Sequence, residues 1–397
     1  MDSDYKILKE LTIEVTSKIL ILQRILPHYR VGFFKKFQDK FPETKIVYGQ
    51  PYNTEALQNA ASLNEDYFIK KKNYYFEKGG RIFLTGFYSF IFKYRPEIII
   101  SVFNIGNLNI YILFILKFFF KFKIILWSFG YDPIEGFNPG KSFADKVRLF
   151  LSQKADAVIF YWQQGRNIVA EFSKKTEHYF VAPNTLDTVR QIEIKELFDK
   201  IGKEKIKHEL GIEEKFHFVY AGRLLKDKQV DLLLKAFAII ENKISYCRLT
   251  IIGDGPESES LKKLSCELKL RNINFSGEIL DEETTGKWIY ISEAFVMPGR
   301  LGLSVVHSFC YGTPVISMRK ENFYHGEGVS YIKDELNGFL VKDCDVNEIA
   351  EKMTLIISSP ELSQTLRQNA FETIQNEASV ENMLGGFERA IRYVREK

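Results

Sequence analysis

The residues best suited to chemistry lie in four motifs in the second half of the chain, each after an apolar run that predicts a strand. They are Gly-Arg-Leu-Leu-Lys-Asp-Lys at 222–228, Gly-Asp-Gly-Pro at 253–256, Pro-Gly-Arg-Leu-Gly-Leu-Ser at 298–304 and Asn-Gly-Phe-Leu-Val at 337–341. Open α/β sheets bind ligands beyond the carboxyl ends of their strands, so glycines and cations in these places predict a ligand site.

The chemistry of these motifs suits a diphosphate. Arg223 and Lys228 lie five residues apart in one loop and supply two positive charges to a pyrophosphate. Gly299 and Gly302 let a ligand approach the backbone, and the helix predicted to follow them presents unpaired N–H groups to an anion. Each motif alone is a common turn, but four in this order predict a nucleotide-diphosphate site.

The predicted elements alternate between strands and helices along almost the whole chain. The predicted strands are 18–22, 45–48, 97–102, 123–127, 157–161, 178–182, 217–220, 248–252, 274–276, 294–297, 314–317 and 338–341. Several are continuous apolar runs, which is typical of parallel strands covered on both faces. The pattern predicts an α/β fold with two doubly wound, Rossmann-like domains facing a cleft.

The length of 397 residues also suits two domains. We expect an N-terminal acceptor-binding domain at 1–183 and a C-terminal donor-binding domain at 184–379. A last helix at 380–397 is expected to cross back to the first domain.

The run from Gly222 to Val341 resembles the C-terminal domain of family 4 glycosyltransferases, and in particular bacterial polysaccharide-assembly enzymes. Asn184 matches the family's Pro-Asn-Gly hinge, with Thr185 in place of the glycine. The resemblance implies a GT-B fold and transfer of a sugar with retention from a nucleotide-diphosphate sugar, without an obligatory protein nucleophile or a metal cofactor.

The resemblance also implies roles for single residues. Arg223 and Lys228 would hold the diphosphate and stabilise the departing nucleotide, as catalytic residues. The implied donor-binding residues are Gly222, Gly253, Gly299, Arg300, Leu301, Gly302, Leu303, Ser304 and His307.

Two positions depart from the family's pattern. The third motif of the family usually has two glutamates with seven residues between them, and these positions are Gly299 and His307 here. Gly299 offers only backbone, whereas His307 donates or accepts a hydrogen bond to a ribose hydroxyl. We interpret this as the mark of a subfamily.

The N-terminal half is expected to bind the acceptor. His28 and Arg30 follow the first predicted strand, and they predict contact with the acceptor or a lipid phosphate; a loop capping the next helix is the alternative. Trp127 follows another strand and is expected to line the cleft. Asp132 is the nearest candidate base.

Charge is unevenly distributed, with 22 Lys and Arg against 14 Asp and Glu in residues 1–150. The excess predicts a partner met by this half alone, either an anionic membrane or a phosphate-bearing acceptor. The cation-aromatic stretches 33–37 and 70–76 suit an anionic membrane surface; a solvated helix and a basic loop are the alternative. The apolar stretch 110–127 predicts a buried helix followed by a strand, or else an interfacial helix. No nucleic-acid motif is present, and the four scattered cysteines fit a reducing cytoplasm.

The predicted function is therefore transfer of a sugar to a glycan, with a lipid-linked oligosaccharide as the expected acceptor and a cytoplasmic, peripheral membrane location. Asp343 and Asp345 resemble a metal motif but are expected to cap a helix. The alternatives are a sugar-binding or scaffolding protein with a degenerate donor site, a GT-B-like epimerase and a phosphorylase.

Overall fold

The computed structural model describes residues 17–53, 58–61, 63–76, 80–132, 135–319 and 325–397. The chain divides into two units. Unit 1 contains the described residues up to Asp132, Gly136–Ala182 and Leu384–Lys397, and unit 2 contains Glu135 and Pro183–Met383.

Unit 1 is built on a seven-stranded parallel sheet with the order β3-β2-β1-β6-β7-β8-β9. Its strands are β1 (Ile19–Gln23), β2 (Thr44–Tyr48), β3 (Phe68–Lys70), β6 (Ile98–Val102), β7 (Lys123–Ser128), β8 (Ala157–Phe160) and β9 (Tyr179–Val181). An antiparallel hairpin, β4 (Asn73–Phe76) with β5 (Arg81–Leu84), lies outside this sheet.

Helices connect these strands. They are α1 (His28–Lys40), α2 (Phe87–Lys93), α3 (Leu108–Phe120), α4 (Phe143–Lys154) and α5 (Gln163–Glu171). The central strands are buried on both faces, as in Ile19–Gln23, because helices cover parallel sheets on both sides.

Unit 2 is built on a six-stranded parallel sheet with the order β12-β11-β10-β13-β14-β15. Its strands are β10 (Phe216–Ala221), β11 (Cys247–Ile252), β12 (Ile273–Gly277), β13 (Ala294–Val296), β14 (Val315–Met318) and β15 (Gly338–Val341). Its helices are α6 (Thr188–Ile201), α7 (Lys203–Glu209), α8 (Val230–Glu241), α9 (Ser258–Glu267), α10 (Glu282–Ile291), α11 (Ser304–Cys310), α12 (Val346–Ser358) and α13 (Pro360–Thr373).

The last helix, α14, spans Val380–Glu396, and its residues from Leu384 onward belong to unit 1. Phe387 packs there against Phe33 and Trp127, with ring centroids 5.1 and 4.9 Å apart. The C-terminal segment is therefore part of the core of unit 1.

The α/β class and both parallel sheets confirm the predicted fold, and all twelve predicted strands are present with small shifts at their ends. The sequence interpretation missed β3 and the β4–β5 hairpin. These strands are short and only partly buried, and β4 begins at Asn73 among lysines and tyrosines, so they lack the continuous apolar run that revealed the others.

Two expectations about apolar segments need correction. Phe33, Phe34 and Phe37 of the stretch 33–37 are core residues, so their rings are not available to a membrane. The helix in the stretch 110–127, by contrast, is only half buried: Ile110 and Leu113 face the core, whereas Phe118 is 87% exposed. Among the described residues, no helix is both long and apolar enough to cross a bilayer.

Candidate functional site

The first two motifs of unit 2 form adjoining loops at the carboxyl ends of β10 and β11. The N–H of Gly222 donates to the carbonyl of Ile252 at 2.9 Å, and that of Leu224 donates to Asp254 at 2.9 Å. Gly253 has φ +133°, and a Cβ there would lie 2.0 Å from the carbonyl oxygen of Gly222. Glycine is therefore required for the close approach of these two loops.

The two predicted catalytic cations differ in their surroundings. The side chain of Arg223 is exposed, and its guanidinium has no hydrogen-bond or ion-pair partner within the described part of the chain. Lys228 is mostly buried, and its Nζ donates to the carbonyl of Arg300 at 2.6 Å. Burial, reinforced by the charge of Arg300, lowers the pKa of Lys228 to about 8 despite the opposing effect of Asp227.

The loop with Lys228 is tied to the third motif along its backbone. Gly299 donates its N–H to the carbonyl of Lys228 at 2.9 Å, and Arg300 donates to Asp227 at 2.8 Å. The Arg300 guanidinium also pairs with the Asp227 carboxylate at 2.8 Å. Arg300, predicted to bind the donor, thus also holds the two loops together.

Gly299 occupies a position that has no room for a side chain. A Cβ there would lie 2.1 Å from the carbonyl oxygen of Asp227 and 2.3 Å from the carbonyl carbon of Lys228. The family's first glutamate does not fit at this position, so its absence is a consequence of how the two loops pack. The Gly299 N–H is itself occupied by Lys228.

The remaining residues of the third motif are divided between core and surface. The Leu301 side chain is buried in the core, and its N–H donates to Nδ1 of His325 at 3.3 Å. Gly302 has open space where a Cβ would be. Leu303 and Ser304 are half-buried, and Ser304 begins α11, which has only seven residues.

His307 lies on α11 with its ring partly buried. Its Nε2 is 2.7 Å from the carboxylate of Glu282, which also accepts a hydrogen bond from Tyr311 at 2.8 Å. Although burial raises it, the hydrogen bond and charge of His307 bring the pKa of Glu282 below its usual value. Glu282 is therefore ionised near neutral pH and accepts the Nε2 proton of His307. The sequence did not single out Glu282, because it stands in an ordinary helix start, Asp-Glu-Glu at 281–283.

Two further predictions concern the borders of this site. The Asn184 side chain donates to Glu327, and its carbonyl accepts from Tyr331 at 2.9 Å, so this residue is fixed within unit 2. Asp345 accepts from the N–H of Glu348 at 2.9 Å and caps α12, which confirms its predicted capping role.

The predicted acceptor residues of unit 1 are only partly accessible. His28 is exposed at the start of α1. Trp127 is 1% exposed, and the Arg30 guanidinium lies over its ring at 4.6 Å. The expectation that the Trp127 and Arg30 side chains contact an acceptor is corrected, because each helps to bury the other. The Asp132 carboxylate lies 3.9 Å from Arg148, and its role as a base stays a prediction.

A different part of unit 1 contains a cavity of about 500 Å³. It lies at the carboxyl ends of β1 and β6, beside the β4–β5 hairpin, and is lined mainly by amide and aromatic side chains. Its polar lining residues include Gln23, Arg24, Tyr52, Asn73, Tyr75, Asn104, Asn107 and Asn109.

Two amide groups of this cavity have atoms without a partner. Gln23 is 7% exposed and Asn73 is 2% exposed. Within the described part of the chain, neither the Gln23 Nε2 nor the Asn73 Oδ1 has a hydrogen-bond partner. The Asn73 amide nitrogen donates to the carbonyls of Arg24 and Gln50 at 2.7 and 2.8 Å, which fixes the direction of its oxygen. Unsatisfied buried polar atoms are costly, so these two amide atoms mark a place where an additional hydrogen-bonding group would be stabilising.

The sequence contained one signal of this cavity. Three asparagines, Asn104, Asn107 and Asn109, follow the predicted strand at 97–102 within six residues. The sequence did not identify Gln23 and Asn73 as cavity residues, because only the fold brings the β4–β5 hairpin beside the end of β1.

Comparison with known proteins agrees with this geometry. Residues 202–373 match the family model described as glycosyl transferases group 1. An alpha-D-kanosaminyltransferase of Streptomyces kanamyceticus is 23% identical over 55% of this chain and 55% of its own length. The poly(glycerol-phosphate) alpha-glucosyltransferase of Bacillus subtilis is 24% identical over 55% of this chain and 30% of its own length. The chain thus spans about half, or less, of these relatives.

Solved structures share the fold across nearly the whole chain. Anabaena Alr3699/HepE in complex with UDP and glucose has a TM-score of 0.64 and 17% identity, covering 95% of this chain and 99% of that one. The sucrose-phosphate synthase of Thermosynechococcus elongatus has a TM-score of 0.68 and 16% identity, covering 96% and 99%. The chain therefore has the GT-B fold, and its residues 202–373 match the model of the group 1 glycosyl transferases, the family that its motifs resemble.

Proposed function

We propose that this protein is a glycosyltransferase that moves a sugar, with retention, from a nucleotide-diphosphate sugar to a glycan in surface polysaccharide biosynthesis. The observation that carries the proposal is the exposed Arg223, which has no partner among the residues that the structure describes, in the same loop as the mostly buried Lys228 at the carboxyl end of β10. The names of the relatives support transfer of a sugar, and the HepE complexes with UDP and with UDP-glucose support a uridine diphosphate donor as the first to test.

The two cations have separate tasks in this proposal. Lys228 is held by Arg300 and provides a fixed charge beside the diphosphate. Arg223 provides a planar fork that binds two phosphate oxygens once the donor arrives. Both stabilise the negative charge that develops on the departing nucleotide, which is the largest contribution that such a site makes to catalysis. No protein nucleophile and no metal ion are required.

His307 is proposed to bind the nucleotide ribose in the place of the family's second glutamate. Glu282 favours the tautomer of His307 that carries its proton on Nε2, and in that tautomer Nδ1 is an acceptor. A ribose hydroxyl then donates to Nδ1, as it would to a carboxylate. Glu282 acts through His307 by fixing its tautomer.

The cavity of unit 1 is proposed to bind a sugar of the acceptor. Its Gln23 Nε2 donates and its Asn73 Oδ1 accepts, and a sugar hydroxyl does both. Apart from Arg24, the polar residues of the lining are uncharged amides and tyrosines, which suit the hydroxyl groups of a sugar. We propose a lipid-linked oligosaccharide as the whole acceptor, and hence a cytoplasmic enzyme working at a membrane face.

A thermal-shift panel of nucleoside diphosphates and nucleotide sugars tests the donor site. A ligand at 100 times its Kd stabilises a native site by about 2.7 kcal/mol. We expect one nucleotide class to raise the Tm of the wild type but not of Arg223→Ala. Lys263→Ala, which removes an exposed cation elsewhere in unit 2, is the matched control and should respond as the wild type does.

The opposite result also has a definite meaning. If no nucleotide stabilises the wild type at millimolar concentration, the donor site does not bind nucleotides, and the sugar-binding or scaffolding alternative replaces the proposal.

A further inference from the structure

An exposed aromatic face on unit 1 has no role in the proposed chemistry. Tyr111, Ile115, Phe118 and Phe119 are spaced four, three and one residues apart on α3, which places them on one side of that helix. Phe118 is 87% and Phe119 74% exposed. Solvent-exposed aromatic residues that share one helix face mark a binding surface.

A second helix extends this surface. Phe92 of α2 is 55% exposed, and its ring contacts that of Phe120 at 4.9 Å between centroids. We call Phe92, Ile115 and Phe118–Phe120 the aromatic face. It is assembled from two elements, so it is a surface of the folded unit.

Cations border the aromatic face. Lys93, Arg95 and Lys121 are exposed at the carboxyl ends of α2 and α3. Arg95 and Lys121 line one shallow cavity together with Phe119 and Phe120. Lys117 and Lys123 do not belong to this border, because both lie against Asp156, at 2.5 and 3.9 Å.

The charge around this surface is mainly positive, although the exposed Glu97 lines the same shallow cavity as Arg95 and Lys121. Residues 80–131, all of which the structure describes, contain six Lys and Arg and a single acid, Glu97. Exposed aromatics bordered by cations match the interface of an anionic bilayer, where rings enter the headgroup region and cations meet phosphates. A symmetric contact with a second copy would instead bring two copies of the same cation-rich border into one interface, where like charges repel.

We propose that the aromatic face docks unit 1 onto an anionic phospholipid surface, with Phe118 and Phe119 inserted and Lys93, Arg95 and Lys121 in contact with lipid phosphates. The docking surface differs from the two stretches that the sequence suggested, 33–37 and 70–76. Membrane binding requires neither donor nor acceptor, so it is independent of the proposed catalytic function.

Co-sedimentation of the full chain with vesicles tests this inference. Vesicles of phosphatidylglycerol and phosphatidylcholine in equal amounts are compared with vesicles of pure phosphatidylcholine. We expect the wild type to bind the anionic vesicles, and to bind them more weakly at 0.5 M than at 0.1 M salt, because salt screens the cations.

Substitutions at the aromatic face and its border test whether this surface is the one that binds the vesicles. Phe118→Ser/Phe119→Ser is expected to weaken binding at least tenfold, and both sites are exposed enough for the protein to keep its Tm. Lys121→Asn is expected to weaken binding about fivefold; asparagine tolerates the left-handed backbone of Lys121, whose φ is +52°. Tyr246→Ser and Lys263→Asn, exposed sites of unit 2, are the matched controls and should bind as the wild type does.

Three results would overturn the proposal. The first is that the wild type fails to bind anionic vesicles, and the second is that the Phe118→Ser/Phe119→Ser variant binds them as well as the wild type does. The third is that sedimentation velocity without lipid shows a dimer for the wild type and a monomer for this variant. The last result would identify the face as a contact between copies of the chain.

Discussion

The donor loops of unit 2 and the cavity of unit 1 lie at the same kind of place, the carboxyl ends of parallel strands, but they are built in opposite ways. The donor loops are charged, and glycines allow their backbones to pack closely, as at Gly253 and Gly299. Apart from Arg24, the polar lining of the cavity consists of neutral amides and rings from several elements, and two of its amide atoms have no hydrogen-bond partner among the described residues.

The difference shows what each site is suited to bind. Fixed cations next to backbone suit an anion whose charge changes during reaction, because a preorganised charge needs no reorganisation. Neutral amide groups without partners suit hydroxyl groups, because a hydroxyl that leaves water replaces its hydrogen bond to water with one to the amide. Variants of the two regions should therefore fail in different ways.

The largest expected effect is at Arg223. Arg223→Ala should lower kcat/KM for the donor about 10²- to 10³-fold, as loss of one charge-stabilising donor does elsewhere. Arg223→Lys keeps the charge but loses the planar fork, so it should recover only part of the activity. Steady-state kinetics with varied donor checks this, and an unchanged kcat/KM in Arg223→Ala would remove the residue from the site.

The next effect concerns the packing of the donor loops. Gly299→Ala introduces a Cβ that meets the backbone of Asp227 and Lys228, and should cost about 1–3 kcal/mol of unfolding free energy and weaken nucleotide binding. Gly302→Ala, three residues away in the same motif, has open space and is the matched stability control. Chemical denaturation of both variants measures the difference; equal stabilities would contradict the close packing at Gly299.

A third prediction uses the pKa of about 8 at Lys228. The free protein releases this proton as pH rises through 8, whereas a bound diphosphate keeps Lys228 charged. Nucleotide affinity should therefore be constant below pH 7 and fall by as much as tenfold per pH unit above 8. Titration calorimetry from pH 6.5 to 9.5 checks the slope, and Lys228→Met should bind weakly with no such slope.

The smallest effect is expected in the cavity. Gln23→Met keeps the shape of the side chain and removes an unpaired buried N–H group, so stability should stay the same or increase slightly. The acceptor KM should rise about tenfold, the equivalent of one lost hydrogen bond, while the donor KM is unchanged. A rise in the donor KM with an unchanged acceptor KM would mean that the cavity belongs to the donor.

Much of unit 2 was predictable from the sequence because its signals are local. Continuous apolar runs identified β10, β11 and β13, and the motifs that follow them lie at the carboxyl ends of those strands. Arg223 and Lys228 were identified because both stand in one loop within five residues. Each donor loop is a short contiguous segment, so a local sequence pattern is enough to identify it.

Only the tertiary structure determined the features that depend on contacts between residues far apart in the sequence. It placed Trp127 in a core with Phe387, separated by 260 positions, and removed it from the candidate acceptor residues. It brought Asn73 beside the end of β1, and it joined Glu282 to His307. It also explained Gly299, since the obstacle to a side chain there is the backbone of Asp227 and Lys228, some seventy residues earlier. Burial and hydrogen-bond partnership are properties of neighbours in space, and local sequence patterns do not contain them.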